Sequence, residues 1–441
     1  GECGGGARVK EVRGSTPASR FVVLELGERL PFEPRILGYL RLDPPIPRMH
    51  RRTPEGVERD IRERIFPRDW FHPTYEGGAD WQKALDRVNT AAARIARVVV
   101  HPDYRSEGFG ALLVRVALEW AKERGAPEAR REKHLVYTIA QMARYHPFFE
   151  KVGFRYLFDT ASGRPVLFYP LTEEAEAHLE RFLREDPYAK AHGGRLYKPR
   201  FGRVPGLPGP IRLAGVHKAY RSHLDLEGLS REVQEALLAF GVKARVVERA
   251  VLRGASLEIP PGSLVVLAGA SGAGKTTLLR LLLGEAPDAG EVAVPPGRRV
   301  AYIPGEREVD LGEAPILEAV YRRLKDVGAA IEVLNRVGLS DAVLYRARPH
   351  ELSTGQRERF RLALLLAERP DLLLIDEFAA HLDVPTARRV ALGLGKLCRE
   401  AGVTLVAATH RPEVVAALDP DLLVYVGYGG LTTVPRRGPR T

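Results

Sequence analysis

Eight consecutive residues constrain this chain more than any others: Gly269-Ala270-Ser271-Gly272-Ala273-Gly274-Lys275-Thr276. They fit G-x-x-x-x-G-K-[ST], in which glycines let successive backbone N–H groups turn toward phosphates. The apolar run 264–267 before them reads as a buried strand, and the apolar stretch 278–283 after them suits a helix. A strand–loop–helix unit of this kind requires an α/β sheet, and the helix N-terminus adds positive dipole at the same spot. Lys275 is placed to neutralise β- and γ-phosphates and Thr276 to ligate Mg²⁺ through its hydroxyl, with Thr277 beside them on the first helical turn.

Downstream, Asp371-Leu372-Leu373-Leu374-Ile375-Asp376-Glu377 reads as an apolar strand ending in two carboxylates. The C-terminal end of such a strand is where an α/β sheet offers its ligand crevice. Asp376 is the expected Mg²⁺ holder and Glu377 the group that polarises an attacking water. The run 403–408 reads as another buried strand and leads to Thr409-His410, where an imidazole can sense or stabilise a γ-phosphate.

From about residue 211 to 426 the chain resembles the ATP-binding cassette (ABC) ATPases. The resemblance is carried in order by the P-loop, the signature Leu352-Ser353-Thr354-Gly355-Gln356, the pair Asp376-Glu377, the loop Ala380-His381-Leu382-Asp383 and the switch His410. It implies ATP and Mg²⁺ as ligands, with Glu377, His410 and Lys275 as catalytic groups. It also implies that Ser353, Thr354, Gly355, Gln356 and Asp383 of one protomer close over the P-loop of another. One P-loop and one signature per chain then imply a homodimer with two shared sites.

Two departures stand out. The family usually has a glutamine after the strand that here reads Val300-Ala301-Tyr302-Ile303-Pro304, and this chain has Gly305 followed by Glu306. Glu306 is either a substitute oxygen ligand for the metal or an ordinary solvated carboxylate. The second departure concerns the aromatic platform for adenine. Residues 213–220 resemble the opening strand and 250–257 its continuation, separated by an insertion near 223–249 with helical spacing at Leu229, Val233 and Leu237. Tyr220 is the candidate platform; the alternative is a core tyrosine in a displaced strand. The segment between Glu306 and Leu352 is short and helical in pattern, which fits the family's small helical subdomain and leaves no room for long coiled-coil arms.

The first half has its own anion cradle. Residues 96–100 read as a strand, Arg105-Ser106-Glu107-Gly108-Phe109-Gly110 as a glycine-rich turn, and 111–124 as an amphipathic helix. The spacing Arg105-x-x-Gly108-x-Gly110, framed by Val98-Val99-Val100-His101-Pro102 and by Phe148-Phe149-Glu150-Lys151-Val152-Gly153-Phe154, resembles the acyl-CoA loop of the GNAT acetyltransferases. The resemblance implies acetyl-CoA held by Val98, Val100, Arg105, Ser106, Glu107, Gly108, Phe109 and Gly110. Many GNAT enzymes protonate the leaving thiolate with a tyrosine, and Phe149 stands where that tyrosine is expected; a phenyl ring cannot donate a proton. Tyr145, one helical turn earlier, is a candidate catalyst if helix spacing holds, or else a packing residue. Glu107 and Glu150 read as solvated.

The stretch 44–89 interrupts this pattern with Arg48, Arg51, Arg52, Arg59, Arg62, Arg64 and Arg68 among Trp70, Phe71, Tyr75 and Trp81. Arginines interleaved with aromatics meet phosphates and unstacked bases, and the net charge of +11 favours a polyanionic partner. Interspersed Glu55, Glu58, Asp60 and Glu63 allow a salt-bridged helix instead.

The expected architecture is α/β: a GNAT-like mixed α/β domain over 1–175 with the insertion 44–89, a helix and basic Pro/Gly linker over 176–210, and an ABC ATPase over 211–441. Two distant cysteines, Cys3 and Cys398, offer no disulfide framework and suit a reducing cytoplasm, and no apolar run reaches spanning length. The leading expectation is a cytoplasmic enzyme coupling ATP-driven dimer closure to acetyl transfer onto RNA or another nucleic-acid-associated amine. The alternative is a nucleic-acid-remodelling ATPase whose GNAT-like domain only binds. A transporter subunit ranks third.

Overall fold

The structure is a computed structural model, and it describes residues 19–27, 31, 33–46, 48–71, 90–101, 104, 108–123, 131–224, 226–242, 245–305, 310–427 and 429–436. The chain divides into two compact units, Gly1–Lys198 and Pro199–Thr441.

The first unit carries β1 (Arg20–Glu25), β2 (Ile36–Asp43), β3 (Arg51–Thr53), β4 (Gly56–Glu58), α1 (Arg62–Ile65), β5 (Ala92–Val100), α2 (Phe109–Lys122), β6 (Leu135–Ile139), β7 (Arg155–Asp159), β8 (Pro165–Pro170), α3 (Glu173–Glu185) and α4 (Pro187–His192). Its sheet runs β1-β2-β5-β6-β8-β7, with β5 and β6 parallel and the other pairs antiparallel. Strand alternation sends Leu40, Leu42 and Ile95 to one face, where they meet Leu113, Val114 and Ala117 of α2. Tyr137 and Phe168 point to the other face, against α3 and the stretch containing α1.

That second face favours the salt-bridged alternative for residues 44–89 over a nucleic-acid surface, as far as they are described. Ile61, Ile65, Phe66, Trp70 and Phe71 are core residues, each at most 3% exposed. Arg51 is buried and donates to both oxygens of Asp186 (2.9 and 3.0 Å) and to Glu58 (2.6 Å). Arg62 lies 4.2 Å over the Phe71 ring and donates to the Tyr137 hydroxyl at 3.4 Å and to the Ile46 carbonyl. Arg64 pairs with Glu58 and Asp186, and Arg68 with Glu63. Arg48, Arg52 and Arg59 remain exposed. Tyr75 and Trp81 lie outside the described residues.

The helix expected in 176–210 is present as α3 and α4, and the Pro/Gly stretch after it is hydrogen-bonded rather than loose. Thr172 caps α3 through Oγ1, which accepts from Ala175 N, and three glutamates in the first turn complement the dipole. Ala175, Leu179 and Phe182 bury one face of α3 in the first unit. Residues 199–210 are strapped to the second unit instead: Glu332 accepts from the backbone N–H groups of Arg200 (2.6 Å) and Phe201 (3.0 Å), and Asp371 accepts from Gly206 N at 3.0 Å. Phe201 and Val204 join its core.

The second unit comprises β9 (Ile211–Leu224), α5 (Arg231–Ala239), β10 (Arg245–Ile259), β11 (Leu264–Ala268), α6 (Lys275–Leu282), β12 (Ala289–Ala293), β13 (Val300–Ile303), α7 (Ile316–Leu324), α8 (Val327–Arg336), α9 (Thr354–Ala367), β14 (Leu372–Ile375), α10 (Val384–Ala401), β15 (Thr404–Ala408), α11 (Pro412–Leu418), β16 (Leu422–Gly427) and β17 (Gly430–Pro435). The central sheet runs β13-β14-β15-β11-β16-β17 and is parallel except at β17; a second sheet, β10-β9-β12, is antiparallel. Continuous apolar strands reflect burial of the parallel sheet on both faces. Val266, Leu373 and Leu405 pack toward α8, α9 and α10, while Leu267, Leu374 and Val406 pack toward α6 and the second sheet. The insertion 223–249 is a continuation of the β9–β10 ribbon, paired out to Leu224 and Arg245, with α5 at its tip burying none of its residues. Among the described residues, no helix is long and apolar enough to cross a membrane.

Candidate functional site

The P-loop joins β11 to α6, and its glycines are required by geometry. Gly269 has φ +146°, and a Cβ there would lie 2.2 Å from the Val426 carbonyl oxygen; Gly274 has φ +112°, and a Cβ would lie 2.6 Å from Val251 Cγ1. Gly274 is the residue before α6, so the loop feeds its N–H groups directly into the helix N-terminus. Lys275 Nζ donates to the carbonyls of Gly269 and Ala270, each at 2.8 Å. Burial lowers its pKa, opposed by the charges of Asp376 and Glu377. Thr276 Oγ1 donates to Asp376 Oδ2 at 2.7 Å, while Thr277 turns into the core.

Asp376 follows β14, is 7% exposed, and donates its own N–H to the Ile303 carbonyl at 2.9 Å. The hydroxyl and carboxylate of Thr276 and Asp376 form an oxygen pair that suits Mg²⁺ alongside phosphate oxygens. Glu377 adopts a left-handed backbone at φ +50°, as does Ala379 at +63°. Such strain in non-glycine residues concentrates where a side chain must be aimed. The Glu377 carboxylate lies against Gly305, where an added Cβ would come within 2.9 Å of Oε2. The position lacking the family's glutamine therefore gives its space to Glu377. Glu306 lies outside the described residues. A cavity of about 1070 Å³ opens beside Asp376 and Glu377 and reaches Glu358 and His381. Glu358, whose carboxyl is pushed up by burial, has no motif of its own in the sequence: it meets Ala379 and His381 of the loop after Glu377 only in the fold.

His410 is exposed just beyond β15. Ser353 caps α9 in a reciprocal pair: its Oγ accepts from Gln356 N at 3.3 Å, and Gln356 Oε1 accepts from Ser353 N at 3.0 Å. Ser353 and Thr354 are exposed at this helix start, and Gly355 packs against Leu382. Asp383 caps α10, and the Thr386 N–H holds its carboxyl below the usual range. Tyr220 is half-buried against the second-sheet core, and its hydroxyl donates to Glu285 Oε1 at 3.2 Å. The ring is thus anchored by its tip, and both readings of it keep their footing.

In the first unit, β5 pairs with β6 only over Ala92–Ile95, so residues 96–100 diverge from β6 while still paired with β2 on the other side. Past Ile95 the described ladder of β5 continues with β2 alone, and Val98 and Val100 pack partly buried against the core that holds α2. Gly108, at φ +88°, precedes α2 with no described atom within 4 Å of where a Cβ would stand, and Gly110 lies against the Phe148 ring. Arg105, Ser106 and Glu107 lie outside the described residues; Phe109 opens α2. A strand that splays from its parallel neighbour ahead of a glycine-led helix start suits a pantetheine arm and its pyrophosphate.

Tyr145 does not share a helix with Phe149. Residues Gln141–Arg144 and Glu150–Val152 form separate 3-10 turns, with Pro147 between them. Proline removes the N–H that helix continuation needs, so the helical-spacing argument for Tyr145 fails. Phe149 is 5% exposed and packs edge-on against Phe148 and Phe154, a core role. Glu150 is not free in solvent: it accepts from Leu196 N (2.8 Å) and Tyr197 N (3.2 Å). His146 was missed from the sequence. Its Nδ1 is buried with no hydrogen-bond partner among the described residues, and burial, aided by Lys151, pushes its pKa down to about 4.

Comparison with known proteins matches residues 252–380 to a family model described as ABC transporter and residues 76–156 to one described as Acetyltransferase (GNAT) domain. The zinc import ATP-binding protein ZnuC of Ruegeria pomeroyi is 34% identical over 198 residues, covering 44% of this chain and 75% of that protein. The methionine import ATP-binding protein MetN of Mesorhizobium japonicum is 34% identical over 209 residues, covering 42% of this chain and 56% of that protein. A dimeric ATP-binding cassette solved in a post-hydrolysis state with ADP and Pi matches at 22% identity and a TM-score of 0.39, covering 52% of this chain and 100% of that one. Each of these two relatives covers less than half of this chain, and the chain spans about half of MetN. With the P-loop, carboxylate pair and signature helix placed as described, this chain belongs to the ABC ATPases and carries a GNAT acetyltransferase domain ahead of its cassette.

Proposed function

We propose that this protein couples ATP-driven closure of two cassettes to acetyl transfer from acetyl-CoA at its GNAT unit. The observation that carries the reading is the presence, in one chain, of a Thr276–Asp376 nucleotide site and a β5 that diverges from β6 ahead of a helix capped by Gly108. ATP is held by residues 269–277 with Tyr220, and Mg²⁺ by Thr276 and Asp376. Glu377 orients water, and Ser353, Thr354, Gly355, Gln356 and Asp383 complete a site in a second copy. His410 acts on the γ-phosphate side. This catalysis is largely positioning and charge stabilisation. Acetyl-CoA is held at Val98, Val100 and the loop ending at Gly110.

The acceptor is an amine of RNA or of another nucleic-acid-associated molecule, in a cytoplasmic setting. Support comes from the net charge of +11 and the exposed Arg48, Arg52 and Arg59. The internal pairing of Arg51, Arg62 and Arg64 removes the strongest part of the compositional argument. Calorimetric titration with acetyl-CoA tests the acyl-CoA site: micromolar binding lost in Gly108→Trp supports it, and no heat from the unaltered protein refutes it.

A second reading is favoured by the names of the relatives, which are import ATP-binding proteins. In it the chain is the ATPase of a transporter. Gly305, at the position of the glutamine that couples such cassettes to partner domains, weighs against it. Co-purification with a membrane-embedded partner, absent from a Glu377→Gln control only if turnover is needed, separates the two.

A further inference from the structure

The ribbon formed by β9 and β10 does more than decorate the cassette. Arg249, in the ribbon just before the core strand region, donates from Nη2 to the carbonyl oxygen of Gly272 at 2.8 Å. Gly272 lies in the phosphate loop itself, and its Cα faces the same guanidinium: a Cβ there would sit 3.2 Å from Nη2. In the ladder, Arg249 is directly opposite Tyr220, and residues opposite each other in an antiparallel pair project from the same face. The candidate adenine platform and a guanidinium on the loop rim thus stand side by side.

The charges around Arg249 sharpen the point. Three cations of the second sheet are paired: Arg221 with Glu248 (2.9 Å), Arg212 with Glu258 (3.0 Å), and Lys218 with Glu285 (3.1 Å). Arg249 is exposed, and among the described residues no carboxylate lies within ion-pair distance of it. Its single bond to a loop carbonyl leaves most of its five donors unused. A guanidinium is suited to grip phosphate with two parallel N–H bonds.

We propose that Arg249 is a nucleotide ligand supplied in cis from the ribbon, which holds the phosphates of ATP and ADP from the rim of the loop. The inserted ribbon and helix over 223–249 then serve to carry this arginine to the site. Lys275 neutralises the same phosphates from the start of α6, so the two cations divide the charge of the polyphosphate.

The test is calorimetric titration of ATP and ADP into the full chain and three variants. Arg249→Gln keeps an N–H able to donate to Gly272 O and removes the charge; Arg249→Lys keeps the charge and loses the fork; Lys275→Ala sets the scale for loss of the loop cation. The expected result is roughly tenfold weaker binding of both nucleotides by Arg249→Gln, with an intermediate loss in Arg249→Lys. Thermal unfolding of nucleotide-free Arg249→Gln should match the unaltered protein. In steady-state hydrolysis, kcat/KM should fall by about the same factor with kcat unchanged, the pattern of lost uniform binding. Wild-type affinity in Arg249→Gln would overturn the proposal and reduce Arg249 to a tether between ribbon and loop. A loss of affinity accompanied by an equal loss in thermal midpoint would overturn it as well.

Discussion

Thr276 and Asp376 stand 100 positions apart in the chain and meet at 2.7 Å, hydroxyl to carboxylate, at the mouth of a parallel sheet. The contact exists because β11 and β14 end at the same edge with β15 between them. A hard divalent cation prefers such oxygen ligands, and nucleotide phosphates complete its shell. Replacing Asp376 with Asn should therefore abolish Mg²⁺-dependent hydrolysis while metal-free nucleotide binding persists. Hydrolysis assays across a Mg²⁺ series, with binding measured in EDTA, check both halves of this expectation.

Gly305 and Glu377 give a second prediction. The carboxylate occupies the space a side chain at 305 would need, with Oε2 2.9 Å from an added Cβ. Gly305→Gln, which introduces the residue usual in this family, should displace Glu377 and lower kcat for ATP without weakening ATP binding. The loss should approach that of Glu377→Gln, on the order of 10²-fold or more, as for removal of a group that positions a nucleophile. A Gly305→Gln protein with unaltered kcat would show that Glu377 works from elsewhere.

His146 ties the GNAT unit's stability to pH. Its folded pKa is pushed down to about 4, from an ordinary value of 6.5. Between those values the unfolded chain binds the extra proton, so His146 costs nothing above pH 6.5 and destabilises progressively as pH falls toward 4. The full effect is about 3 kcal/mol. His146→Leu should flatten this part of the profile, read as the difference between denaturation midpoints of the two proteins at pH 7 and pH 4.5.

Asp186 holds the insertion onto the unit behind it. It receives Arg51 and Arg64, accepts from Ala189 N at 2.9 Å, and is 5% exposed. Asp186→Ala leaves a buried guanidinium with only Glu58, and should destabilise the first unit by about 3–5 kcal/mol. Chemical denaturation measures this directly, and nucleic-acid binding, if present, should track unfolding rather than the charge change.

The cassette was legible in the sequence because its motifs are dictated by backbone: only glycine fits at 269 and 274, and the carboxylates must stand where β14 ends. The arginine-rich insertion was harder to read. Composition does not distinguish an arginine facing solvent from Arg51 or Arg62, whose partners Asp186 and Tyr137 lie far along the chain. The same holds for 199–210, where prolines and glycines suggest a free linker but Glu332 and Asp371 bind its backbone. The helical spacing invoked for Tyr145 fails for a local reason, since Pro147 interrupts the helix it needs and the segment forms two separate 3-10 turns. Arg249 had no signal at all, because its reach to Gly272 depends on the register of a ribbon with bulges in it.

The most direct test follows labelled acetyl groups from acetyl-CoA into a pool of RNA and ribosome-associated proteins, comparing the unaltered protein with Glu377→Gln at saturating ATP. Coupling predicts many acetyl groups transferred per protein when ATP is hydrolysed, and at most about one per protein in the variant. Equal incorporation by both, or incorporation without ATP, would contradict the coupling of the two sites.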